Sequence, residues 1–437
     1  MSTIASTANT HTTSLVATSI SPPKKKPKYE LGVQIGTSLI STVHKAIAVA
    51  DGTVVAIKRN KDKSQFRSLT REAHILIALE AMKARHIVRL LDYYVETPNK
   101  VYALVLEYIV LLDLDQMICN RVVIDLNQTI TIAYQALEYL ADLQSKNIIH
   151  TDIKPENMFF DRPSNYLRIF DYSNSIRIGK DRFDKHIQTP KYRSPEAALE
   201  KDYDCSADIW SLACSIYELY TGNPLFPVEA AADQVAISHK LLHLIAQQCG
   251  MPSEEYLRDS PYFDEWYEES NGKVSFKMST SQTIIKGFDF RDKMRECGKA
   301  RNDPPETVGQ LIELLGSMLV YENRPSPFQL FQSPIFTNET CFTIELTGSK
   351  PALGDLLEIA HPQTSLKPIF STPLLPSVMQ QCFHLSLGMP SGKYYASINR
   401  NSWNEVVIKN RGRTTIHLTE KKEEKNTNSQ KVKQEEK

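Results

Sequence analysis

Apolar and polar residues alternate over three stretches near the start of the chain: Tyr29 to Ile35, Val43 to Val49 and Thr53 to Lys58. A period of two is that of a half-buried strand. From Leu69 to Ala84 the period becomes helical, with Leu69, Ala73, Leu76 and Ile77 on one face. Two further apolar runs, Val88 to Tyr94 and Val101 to Tyr108, predict more strands. Beyond them the pattern is mainly helical. Ala133, Ala136, Leu137 and Leu140 mark one amphipathic helix before Ile148-Ile149-His150, and Ala207 to Tyr220 mark another. This order predicts an α+β fold of two lobes. A small sheet lobe with one helix covers 29–107, and a larger helical lobe covers 108–336.

The flanks break the pattern. Residues 1–28 are rich in Ser, Thr and Ala, lack a period and end in Pro22-Pro23-Lys24-Lys25-Lys26-Pro27-Lys28. Such a segment buries too little apolar surface to offset chain entropy and is expected to be a disordered tail. Residues 337–418 read as a small, β-rich extension. Strands are expected at Lys393 to Asn399 and at Glu405 to Leu418, the latter broken by the turn Asn410-Arg411-Gly412. Residues 419–437 alternate Lys and Glu runs and read as a solvated tail.

Charge narrows the function classes. Lys plus Arg and Asp plus Glu each number 51, so no general attraction to nucleic acid or anionic lipid is expected. Pro23 to Lys28 reads as a solvated charged run or a nuclear import signal, and the protein is expected in the nucleus, the cytoplasm or both. The 7 cysteines are scattered without a CxxC pair, as in a reducing compartment. No basic start precedes a long apolar run, so a signal peptide is not expected. The best apolar stretch, Val101 to Leu112, contains Glu107 and is too short to span a bilayer.

The densest candidate chemistry lies in His150-Thr151-Asp152-Ile153-Lys154-Pro155-Glu156-Asn157, followed by Met158-Phe159-Phe160 and, fourteen residues after Asn157, by Asp171. Phosphoryl transfer requires these residue types. A carboxylate must orient the incoming hydroxyl and accept its proton, which Asp152 can do. Asn157 and Asp171 offer the hard oxygen donors that Mg²⁺ prefers. Lys154 can supply positive charge near the transferred group. Upstream, Lys58 ends the strand Val55-Ala56-Ile57-Lys58. Alone, it reads best as a strand-end lysine reaching water. Glu72 on the next helix makes an ion pair geometrically available, with Glu80 as competitor. Leu76, one turn after Glu72, can pack inward and favours Glu72.

This set resembles the eukaryotic protein kinase signature. Ile187-Gln188-Thr189-Pro190-Lys191-Tyr192-Arg193-Ser194-Pro195-Glu196 is similar to the end of an activation segment in the CMGC group. Asp208-Ile209-Trp210-Ser211 resembles the helix whose Asp anchors the catalytic loop, and Arg324 stands where an Arg would pair with Glu196. Lys154 resembles the Ser/Thr branch. SR-protein kinases, LAMMER kinases and dual-specificity Tyr-regulated kinases carry the nearest likeness.

The resemblance implies a bilobal kinase that uses ATP and Mg²⁺ on protein substrates, with Asp152 as catalytic base. It implies ATP in the cleft between lobes. The lid would be Ile35, Gly36, Thr37, Ser38, Leu39, Ile40, Ser41, Thr42 and Val43. Lys58, paired with Glu72, would meet the phosphates. Ala56 and Val43 would cover one adenine face and Phe159 the other. Leu106 would back the pocket, and Glu107 to Ile109 would form the hinge. Tyr172, Thr189, Arg193, Glu196, Asp208 and Arg324 would shape the activation segment and its supports. The acidic residues Glu254, Glu255, Asp259, Asp264, Glu265, Glu268 and Glu269 read as a plain solvated face or as a site that prefers basic, Arg-containing peptides.

Three departures stand out. The lid has Ser38 and Ser41 where the family has glycine. Thr151 replaces an Arg that clamps an activation-loop phosphate. Tyr172-Ser173 replaces Phe-Gly, which raises the question of a partner for the Tyr172 hydroxyl and of backbone freedom at Ser173. A scaffold that binds partners without catalysis is the rival reading.

Overall fold

The computed structural model describes residues 29–96, 101–162, 165–181, 186–229, 233–270, 273–277 and 289–337, together with seven strands between residues 340 and 419. The tail expected over 1–28, and all but the first residue of that expected over 419–437, lie outside the described residues. The backbone separates into two compact units. One comprises the residues up to Ala73 with Arg89–Tyr108; the other comprises His74–Val88 and the chain from Ile109 onward.

The first unit is a five-stranded sheet made of β1 (Tyr29–Thr37), β2 (Ser41–Ala48), β3 (Val54–Asn60), β4 (Leu90–Glu96) and β5 (Val101–Glu107). Their order is β1-β2-β3-β5-β4, and every pairing is antiparallel. Alternation along β3 and β5 sorts the two faces. Val55 and Ile57 pack with Ala46, Tyr94, Ala103 and Val105 on one side. Tyr102 and Leu104 face the other way, against Leu69 and Ala73 of α1 (Phe66–Ala81). Lys58 pairs across the ladder with Leu104, so it shares the face that α1 covers. On α1 the buried positions are Leu69, Glu72, Ala73, Ile75, Leu76 and Leu79. Ile77, expected on that face, is only half-buried.

The second unit is mainly helical. It contains α2 (Leu114–Cys119), α3 (Leu126–Gln144), α4 (Pro195–Ala198), α5 (Ser206–Thr221) and α6 (Gln234–Cys249). These are followed by α7 (Glu254–Arg258), α8 (Phe263–Trp266), α9 (Phe290–Arg301), α10 (Pro305–Met318), α11 (Pro327–Leu330) and α12 (Pro334–Thr337). Helix α3 starts at a capping box in which Asp125 and Gln128 exchange side-chain-to-backbone bonds. Helix α5, buried at every residue after Ser206, stops at Gly222, whose left-handed backbone closes the C-terminus. Short antiparallel pairs interleave: β6 (Ile148–Ile149) with β9 (Ile176–Arg177), β7 (Met158–Asp161) with β8 (Tyr166–Ile169), and β10 (Tyr267–Ser270) with β11 (Lys273–Phe276).

The last strands are β12 (Thr340–Thr347), β13 (Leu356–Ala360), β14 (Pro368–Pro373), β15 (Gln380–His384), β16 (Gly392–Ile398), β17 (Asn404–Ile408) and β18 (Gly412–Thr419). They form two sheets, β15-β12-β18 and β14-β13-β16-β17. The two strands on either side of the expected turn, β17 and β18, lie in different sheets, and residues 409–411 lie outside the described residues.

A histidine pair on α6 makes acid stability testable. His243 stacks on Phe276 at 3.7 Å and meets His239 edge-on at 4.7 Å. Burial, and then the charge of His239, push His243 down to about 4. An unfolded chain titrates near ~6.5 at this residue and so binds more protons than the native state between those values. Stability should therefore fall as pH drops from about 6.5 toward 4. His243→Gln is expected to shrink the difference in urea midpoint between about pH 7 and about pH 5. An undiminished difference would contradict this assignment.

Candidate active site

The residues predicted from sequence fall into two groups, one in each unit. In the first unit, the Lys58 ammonium donates to both oxygens of Glu72, at 2.9 and 2.8 Å. Both side chains are buried. Glu72, and not Glu80, is the partner. The same sheet sets Val43 opposite Lys58 and Ala56 opposite Leu106. Glu107 follows Leu106, and its backbone N–H and side chain both bond Arg89. Gly36 pairs with Val43 and Thr37 with Thr42 at the end of the β1–β2 ladder, and residues 38–40 turn between the strands. Leu39 is exposed, and Ile35 is largely so.

In the second unit, the register of the β7–β8 hairpin explains the spacing of the polar residues. Met158 pairs with Ile169, so Asn157 falls opposite Phe170, whose N–H donates to the Asn157 carbonyl at 3.1 Å. Asp171 is thereby carried next to Asn157 in the chain trace. Its backbone is left-handed, with φ of 70°. Ser173 is not among the residues with positive φ, so serine meets no backbone demand there. The Ser173 N–H donates to Asp171 Oδ1 at 3.3 Å.

Asp152 is held from three sides. Asn157 Nδ2 donates to its Oδ2 at 3.1 Å and to its carbonyl at 2.8 Å. The Lys154 ammonium lies 3.2 Å from Oδ2. The Thr189 hydroxyl accepts from Lys154 at 2.9 Å and donates to Asp152 Oδ1 at 2.8 Å. The Asn157 amide nitrogen is thus committed to Asp152, which leaves Oδ1 as the acceptor of that side chain. The Asp152 N–H donates to His150 Nδ1 at 3.2 Å, so the ring proton sits on Nε2, 3.2 Å from the Phe170 carbonyl. Burial lowers the His150 pKa, which agrees with this neutral tautomer.

Asp208 anchors the loop from α5. Its two oxygens accept the N–H groups of His150 and Thr151 at 2.7 and 2.9 Å. Burial raises its pKa to about 7, against the pull of those two bonds. Thr151 has φ of 66° and donates its hydroxyl to the Asn174 carbonyl at 2.9 Å. Ser175 returns a bond to the His150 carbonyl at 3.0 Å. Tyr172 is buried beside His150 and Tyr139, with ring centroids 5.3 and 6.4 Å away. Phe159 stacks on Phe170 at 4.4 Å.

The segment before α4 is tied by neutral groups. Arg193 donates to the carbonyls of Ile187 and Gln188, to Ser238 Oγ at 3.0 Å and to Gln234 Oε1 at 2.9 Å. Gln188, not among the predicted site residues, bonds Ala207, Ser211 and Ser194. Glu196 pairs with Arg324 through two bonds of 2.8 and 3.1 Å. The α6 partners of Arg193 lie forty-one and forty-five residues on, and no motif signalled them. Ile109, the last predicted hinge residue, is half-buried in the second unit.

Comparison with known proteins follows the same residues. The family model described as protein kinase domain matches residues 29–336. The chain is 25% identical over 325 residues to the serine/threonine-protein kinase prp4 of Schizosaccharomyces pombe, covering 71% of this chain and 66% of that one. It is 34% identical over 164 residues to a probable serine/threonine-protein kinase dyrk2 of Dictyostelium discoideum, covering 37% of this chain and 17% of the relative. It is 30% identical over 224 residues to the dual specificity tyrosine-phosphorylation-regulated kinase 2 of Drosophila melanogaster, covering 50% and 30%. The chain spans less than two thirds of the length of each of these curated relatives.

Proposed function

The chain belongs to the protein kinase domain family, and from that premise we propose that it transfers the γ-phosphoryl group of ATP to Ser and Thr hydroxyls of proteins. The observation that carries this reading is the fixed carboxylate of Asp152, oriented by Asn157, Lys154 and Thr189 together. A positioned carboxylate can orient an incoming hydroxyl and take its proton. Lys154 is placed to balance charge that develops on the transferred group. Lys58, held by Glu72, would neutralise the α- and β-phosphates. Asp208 and the His150 ring would keep the loop in register for this work.

The residues present suit a Mg²⁺ ion. Asn157 Oδ1 and the Asp171 carboxylate are hard oxygen donors, and Mg²⁺ commonly takes only one or two protein carboxylates beside substrate phosphates and water. Among the described residues no cluster of three or more His, Cys, Asp or Glu offers a competing metal cage. When bound, the ion supplies charge neutralisation on the phosphates. A scaffold without catalysis is not favoured, because Lys58, Glu72, Asp152, Asn157 and Asp171 are all present.

Protein substrates with basic residues fit the exposed carboxylates of Asp264, Glu265, Glu268 and Glu269. Arg258 neutralises part of this surface through Glu254 and Glu269. A peptide array scored by phosphoamino-acid type tests the proposal. Phosphoserine and phosphothreonine in Arg-containing peptides are expected; phosphotyrosine alone would refute it. A nuclear location would follow if Pro23 to Lys28 act as an import signal. No described helix is long and apolar enough to cross a membrane.

Activity should not depend on an activation-loop phosphate. Thr151 spends its hydroxyl on Asn174, and Arg193 is committed to neutral partners. Neither offers the charge-assisted bonds that a phosphate needs. Phosphatase-treated protein, checked by intact mass, should keep its initial rate. A loss of more than about tenfold, equal to ~1.4 kcal/mol of transition-state stabilisation, would contradict this.

A further inference from the structure

The turn between β1 and β2 is closed on itself by one side chain. The Ser38 hydroxyl oxygen accepts the N–H of Ile40 at 3.3 Å and the N–H of Ser41 at 3.1 Å. Its two lone pairs are thus used, and its own proton is directed to Ser41 Oγ, 3.0 Å away. The Ser38 N–H donates to the Ser41 carbonyl at 2.9 Å. The start of the next connection adds to the closure: the Lys61 N–H donates to the Ile40 carbonyl at 2.9 Å, and the Lys61 ammonium bonds the Ser38 carbonyl.

Backbone N–H groups in such a turn are what a phosphate needs, since successive amides make an anion-binding concavity. Here the amides of Ile40 and Ser41 already face an oxygen. We propose that the Ser38 hydroxyl is an internal competitor for the nucleotide phosphates, so that ATP engages this lid only by displacing it. The inference rests on the reading of residues 35–43 as a phosphate lid. Ser38 is then a positioning residue that holds the lid closed against the phosphates and sets the ATP concentration at which the enzyme works. A glycine at this position could not act in this way, because it has no oxygen to offer.

The sign of the expected effect is unusual for a polar residue at a ligand site. Removing the hydroxyl should strengthen binding. A net hydrogen bond is worth about 1 kcal/mol, or about fivefold. The Ser38→Ala variant of the full chain should therefore bind ATP with Mg²⁺ about fivefold more tightly than wild type. Adenosine, which lacks phosphates, should bind equally to both. Ser38→Thr retains the hydroxyl and should restore wild-type ATP affinity. In turnover, Ser38→Ala should lower the KM for ATP. Ser38 is exposed enough to be replaced without touching the core. Equal or weaker ATP affinity in Ser38→Ala, beside a wild type that binds ATP, overturns this inference alone. A wild-type chain that binds no ATP overturns the kinase reading with it.

Discussion

Replacing Asp152 with Asn is expected to lower phosphoryl transfer by more than ~10²-fold, the scale of a positioned acid–base group. The argument is local. Asn keeps the size of Asp, but its single oxygen accepts at only one of the two positions, so either the Thr189 bond or those from Asn157 and Lys154 are lost. It cannot accept the proton of an incoming hydroxyl. The loss should therefore appear in kcat, with little change in ATP affinity. Initial rates at saturating ATP, with a melting curve on the same sample, provide the check. Wild-type-like turnover would remove Asp152 from its proposed role.

The largest expected stability effect is at Arg324. Its guanidinium is 2% exposed and makes two bonds to Glu196. It also bonds the Ser206 and Val320 carbonyls and lies over the Trp210 ring at 5.2 Å. Arg324→Ala leaves a buried carboxylate without its counter-charge. Such a break costs about 3–5 kcal/mol, whereas replacing both partners by neutral groups of similar volume is far less costly. The single variant should lose most of its urea midpoint, and the Glu196→Gln, Arg324→Met double variant should recover a large part of it. A double variant no more stable than Arg324→Ala would show that packing, and not charge pairing, holds this corner.

How much of this was legible beforehand depends on how far apart the partners lie in sequence. The Asp152 cluster was readable because Asp152, Lys154 and Asn157 are nearly contiguous, and Asp171 is brought back by one short hairpin whose register follows from alternation. Lys58 and Glu72 were readable because a strand has only two faces, and only one of them meets α1. The helix face was read less well. Ile75 and Leu79 are buried where Ile77 was expected, because α1 is enclosed over a broader arc than a single stripe allows. The partners of Arg193 on α6 could not be read, since nothing local encodes a contact across forty residues. The bonds of Ser38 could not be read either: its side chain looked like a poor glycine, and its capture of two amides emerges only from the turn geometry.

Radiolabel transfer tests the central claim most directly. The purified full chain should be given ATP labelled in its γ-phosphate, a mixed Ser/Thr peptide library, and either Mg²⁺ or a chelator. The kinase assignment predicts label on Ser and Thr with Mg²⁺ and none with chelator. Binding of ATP without label on any acceptor, in the presence of Mg²⁺, would contradict it and leave a nucleotide-binding scaffold.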